Sequence, residues 1–107
     1  MRSERDGAVA DRVTVYWRDI PAQVIVKAGR KTAKRQLAER FERAIDRAAM
    51  RAKLTGTDAY LEQWRRGGPV PCGDDLEAEA DAAAEALETE YTPERLRELV
   101  GNGGNAS

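Results

Sequence analysis

The sequence predicts an α+β fold: an N-terminal antiparallel β-hairpin with three to four helices packed on one face. Three observations carry that reading. Val13 to Arg18 alternates strictly, and Val24-Ile25-Val26 resumes β-branched character after a break at Pro21. Leu37, Phe41, Ile45, Ala48 and Ala52 recur at helical spacing. Asp and Thr then stand at two further helix starts. With 107 residues the chain makes one domain. Residues 1–11 read as a flexible arm, 12–101 as the domain and 102–107 as a disordered tail.

In the first strand Val13, Val15 and Trp17 point one way, while Thr14, Tyr16 and Arg18 point the other. Pro21 interrupts the ladder, and Gly29 ends the second strand. Thr32 is the expected N-cap of a long helix reaching about Leu54, with Gly56 as its terminal glycine. Thr57 then caps a short helix carrying Tyr60, Leu61 and Trp64, which Gly67-Gly68-Pro69 stops. Residues 69–72 read as a loop, or at most a short third strand, because two prolines weaken them. Asp74-x-x-Glu77 opens the next helix. Its stripe is Leu76, Ala80, Ala83, Leu87 and Tyr91. Thr92-Pro93 opens the last helix, with Tyr91 and Leu96 placed as a hydrophobic staple. Alanine is dense on both long stripes, so the first and third helices are expected to pack together.

Leu, Ile, Val and Phe number only 18, so the expected core is thin. The chain has no histidine, which removes the commonest general base and metal ligand. One cysteine, Cys72, cannot close an intrachain disulfide. Its place before a helix favours thiolate, but Asp74 and Asp75 oppose this, so it reads as an incidental thiol. Asp74, Asp75 and Glu77 read as helix capping rather than a calcium site. No metal or other cofactor is expected. No apolar run approaches a membrane span, and no secretory leader opens the sequence. A reducing cytoplasm is the expected location.

Charge is divided by position. Residues 1–54 carry 14 Lys/Arg against 7 Asp/Glu; residues 55–107 carry 4 against 12. Either the halves pack on each other, or one meets a charged partner. Lys27, Arg30, Lys31, Lys34 and Arg35 crowd the hairpin end and the expected helix start. Cations are disfavoured there, so an anion or acidic partner would offset them. Arg40, Arg43, Arg47 and Arg51 form a second row, interleaved with Glu39, Glu42 and Asp46, and read as a solvated face. Nucleic acid is not the expected partner at a sequence pI near 5.6.

A two-stranded sheet is marginal in water. The hairpin is therefore expected to meet a partner protein or its own twin. Tyr16, Arg18, Asp19 and Ile25, with Trp64, are the candidate interface. Trp17 reads as core.

Three segments stand out: Val15-Tyr16-Trp17-Arg18-Asp19-Ile20-Pro21-Ala22-Gln23-Val24, then Ala44-Ile45-Asp46-Arg47-Ala48-Ala49-Met50-Arg51, and Cys72-Gly73-Asp74-Asp75-Leu76-Glu77. Together they resemble the small bacterial virulence factor family, whose domain also occurs in conserved virulence factor C proteins. The match runs over roughly residues 12–101. The resemblance implies a cytoplasmic accessory domain associated with one-carbon and methyl-transfer genes. It carries no catalytic residues. The expected function is a non-catalytic interaction module. The alternative is an anion-binding protein for a phosphorylated metabolite, a folate-type cofactor or nucleic acid.

Overall fold

The computed structural model describes residues 10–54, 56 and 58–106. Thr57, the expected cap, and residues 1–9 of the expected arm lie outside them. The fold is α+β: among the described residues, a five-stranded antiparallel sheet with four helices. The strands are β1 (Ala10–Trp17), β2 (Ile20–Ala28), β3 (Lys31–Gln36), β4 (Trp64–Arg66) and β5 (Val70–Cys72). The helices are α1 (Glu39–Arg51), α2 (Asp58–Glu62), α3 (Leu76–Glu90) and α4 (Pro93–Gly101).

The predicted hairpin is β1–β2, in the register Val13↔Ile25 and Thr14↔Val24. A bulge between Val15 and Tyr16 lets β2 pass Pro21 without breaking the pairing. Neither edge of the hairpin is open. β3 pairs along β2 from Gln23↔Gln36 to Ala28↔Lys31, while β4 and β5 pair with β1. The incomplete two-stranded sheet expected from sequence is thus completed by the chain itself.

β3 corrects the long-helix expectation. Lys31–Gln36 is strand, and α1 begins only at Glu39. The two-residue Gly29-Arg30 turn, with Gly29 at φ +62°, returns the chain beside β2. Cross-strand pairing then outweighs the helical leaning of a Lys/Arg/Gln-rich segment. Trp64 likewise ends in β4 rather than in a helix, and residues 70–72 do form a strand.

α1 ends at Arg51, three residues short of the expected Leu54 and five before Gly56. The N–H of Leu54 donates to Ala49 O and that of Lys53 to Met50 O, with Lys53 itself at φ +61°. This is a Schellman end whose left-handed position holds lysine. α3 starts one residue later than expected, capped by Asp75 accepting from Ala78 N–H. α4 starts as expected, with Thr92 accepting from Arg95 N–H and Pro93 at the first position.

Residues 102–106 are not a disordered tail. Gly104 N–H donates to Leu99 O at 2.7 Å and Gly103 N–H to Val100 O, a second Schellman end. Gly104 O then accepts from Asp19 N–H at 2.8 Å, fastening this segment to the β1–β2 turn.

The core joins Trp17, Ile20, Val24 and Val26 of the hairpin to Phe41, Ile45 and Ala48 of α1, and to Leu96 and Leu99 of α4. α3 lies across β2 and β3, whereas α1 packs on α4. The expected α1–α3 pairing is replaced because each alanine-rich stripe finds a different surface.

Candidate functional site

The predicted basic cluster does not sit at a helix start. Lys27, Arg30, Lys31 and Lys34 are exposed on β2, its turn and β3. The helix-dipole argument for an anion there falls with the helix. Arg35 turns onto α3, where it pairs with Glu77 and with Asp81, the latter at 2.5 Å. Hydrogen bonding to Glu77 first and Asp81 second raises its already high pKa.

The predicted hairpin interface is also mostly committed internally. Arg18, at φ +53°, donates through Nε to Gln63 Oε1 at 3.0 Å and through Nη1 to Gly103 O at 2.9 Å. Asp19 accepts from Arg65 and from Ala106 N–H. Ile25 is 5% exposed. Tyr16 is half-buried under the Arg65 guanidinium, 4.5 Å from its ring centroid. Trp64 is 37% exposed and opens on a cleft. Cys72 is half-buried; burial first, then Glu79, pushes its thiol pKa up, away from thiolate. Among the described residues no group of three or more Asp, Glu, Cys or His could hold a metal ion, and no helix is long and apolar enough to cross a membrane.

Two concavities flank α1. The first, of about 520 Å³, lies between α1 and the hairpin. Paired residues Val15 and Gln23 of the sheet line it, with Ile45 of α1. Glu39, Glu42 and Asp46, spaced three and four apart, bring carboxylates from one side of α1. Tyr60 and Trp64 form an aromatic corner, ring centroids 6.3 Å apart at 87°. Trp17 fixes that corner from below: it stacks on Tyr60 at 5.5 Å and its Nε1–H donates to Tyr60 O at 3.0 Å. Burial, then Asp46 and Glu42, raises the Tyr60 pKa, so its phenol stays neutral. Glu39 pairs with Arg43. Among the described residues neither Glu42 nor Asp46 meets a cation.

The second concavity, of about 430 Å³, lies between α1 and α4. Its rim is Arg40, Arg43, Arg47 and Arg51 of α1 with Arg97 of α4. The row expected to be a solvated face is therefore one wall of a groove, because α4 packs beside it.

The acidic row was visible as a spacing in the sequence, but its meeting with Tyr60 and Trp64 depends on tertiary packing. The arginine row was likewise visible as a spacing, but the groove beside it is not local: Arg51 of α1 reaches Gly101 of α4 across 50 residues.

The virulence factor family model matches residues 15–100. No curated protein and no solved structure matches the chain. That match spans the whole of β2 to α3, both concavities' α1 wall and nearly all of α4, and on it the chain belongs to the virulence factor family.

Proposed function

We propose that the chain is a non-catalytic protein-interaction module whose α1–hairpin cleft grips a cationic side chain of a partner, arginine foremost. The observation that carries this reading is the pairing of two uncompensated carboxylates, Glu42 and Asp46, with the Tyr60–Trp64 corner. A planar guanidinium stacks on aromatic faces while donating to carboxylates, so one group satisfies both walls. Exposed tryptophan beside a pocket is also a common centre of binding energy. The non-catalytic reading draws support from chemistry: there is no histidine, and the phenol in the cleft is held neutral, where it is no base. A reducing cytoplasm suits the free Cys72 thiol. Proteins of one-carbon and methyl-transfer metabolism, which the family resemblance brings into view, are the first to test as partners.

The test is an NMR titration with N-acetyl-arginine methylamide, following the Trp64 indole N–H. Arginine should move that resonance; the neutral citrulline analogue should not. Glu42→Gln with Asp46→Asn should abolish the movement while leaving the melting temperature unchanged. No movement at about 10 mM, an interaction weaker than about 3 kcal/mol, overturns the reading.

A further inference from the structure

We propose that the groove between α1 and α4 docks an acidic amphipathic helix of a partner protein. This surface is separate from the cation cleft and does not depend on it.

The argument starts with spacing. Arg40, Arg43, Arg47 and Arg51 lie three, four and four residues apart, so they share one side of α1. First and last stand eleven residues apart, about 16 Å of helix at 1.5 Å per residue. Arg97 faces them from α4. The floor between the rims is apolar, built from Ala44, Pro93, Leu96 and Val100.

The positive charge is largely uncompensated. Arg40 donates to the backbone carbonyls of Glu88 and Tyr91, and Arg51 to that of Gly101. A carbonyl accepts the hydrogen bond but leaves the charge in place. Arg47 has no partner among the described residues. Arg43 and Arg97 meet Glu39 and Glu94 in exposed pairs along their own helices, which hold weakly. Acceptors are short even inside: the buried Nε of Arg40 meets no hydrogen-bond partner among the described residues.

This combination selects its occupant. A lone phosphate would use one or two arginines and none of the apolar floor. A nucleic-acid strand would want aromatic platforms for its bases, and among the described residues no aromatic side chain lines the groove. A helix with apolar residues at i, i+3 or i+4 and i+7, flanked by Glu and Asp, fills both the floor and the rim. Three turns of such a helix match the length of the arginine row.

Fluorescence anisotropy on the full chain tests the proposal. The probes are a labelled peptide of about 18 residues with carboxylates flanking an apolar stripe, a scrambled peptide of equal composition, and a single-stranded oligonucleotide of equal charge. The amphipathic peptide should bind saturably and weaken as salt rises. Arg47→Glu with Arg97→Glu should weaken it about tenfold or more, whereas Glu42→Gln with Asp46→Asn should leave it unchanged. Both arginines are exposed, so the double variant should keep its melting temperature. If it does not, Arg47→Gln with Arg97→Gln replaces it and should weaken binding in the same direction. Equal binding of the scrambled peptide or the oligonucleotide overturns the proposal. So does absence of binding at low salt, or an unaffected charge variant. A light-scattering mass of two chains that falls to one when both arginines are reversed also overturns it, because the groove is then a contact between copies.

Discussion

A methyl group added at Gly104 would stand 2.9 Å from the Trp17 ring, at a backbone φ of +98°. Gly104→Ala therefore meets both a strained conformation and the largest buried side chain. We expect it to cost about 1–3 kcal/mol, read as a fall in thermal unfolding midpoint, with Gly68→Ala as a control in open space. Tyr60 and Tyr91 offer a second test. Burial is the leading cause that raises both phenol pKa values. The unfolded phenols ionise near about 10, so the folded state is the one that keeps its protons. Stability is then full below about pH 10 and is lost as pH climbs through the raised values. Phenolate absorbance at alkaline pH should show two tyrosines ionising late, one of them removed by Tyr60→Phe. At this scale the sequence was partly legible. Trp17 was readable as core from its place among Val13 and Val15. Arg18 and Asp19 were not readable as a latch, because their partners Gln63, Gly103 and Ala106 lie 45 to 87 residues away.

At the level of elements, capping chemistry was legible because it is local. Thr92-Pro93 read to the residue, and the α3 start read to within one, with Asp75 rather than Asp74 as the cap. Segment 31–36 could not be read this way. Its composition leans to helix, and the pairing that makes it β3 is set by Val24, Ile25 and Val26 across the Gly29 turn. The same distinction explains why α4 as a wall of the arginine groove stayed hidden while the arginine spacing did not. Lys53 at φ +61° gives an element-level prediction. A non-glycine residue in that region carries strain of about 1–2 kcal/mol, and glycine removes it at some cost in unfolded-chain entropy. Lys53→Gly should raise stability by up to about 1 kcal/mol, measured by urea denaturation with an unchanged slope. Conversely, Ala44 is buried in α1 and lines the seam it shares with α4. Ala44→Leu should overpack that seam and push the two helices apart, at about 1–3 kcal/mol.

For the whole molecule, the division of charge resolves into an internal and an external part. The acidic α3 lies across the basic hairpin end, and Arg35 with Glu77 and Asp81 is where they join. That was one of the two readings the sequence allowed. The rest of the charge is sorted by α1, with carboxylates on its hairpin side and arginines on its α4 side. Removing residues 102–106 should test how far the fold depends on closure at the β1–β2 turn. The truncated chain loses the Asp19–Gly104 and Arg18–Gly103 hydrogen bonds and uncovers Trp17. We expect a red-shifted tryptophan emission and a lower unfolding midpoint, with helical circular dichroism largely kept.

Among the described residues, β3 leaves one side of its backbone unpaired at the margin of the sheet, and along it stand Lys31 and Lys34. Such a margin is a template on which an identical chain could lay down its own strand and begin a fibre. Ammonium groups brought face to face repel, so crowded copies stay apart. Replacing both lysines with threonine should therefore shorten the lag before thioflavin-positive aggregates appear, even if the folded monomer is no less stable.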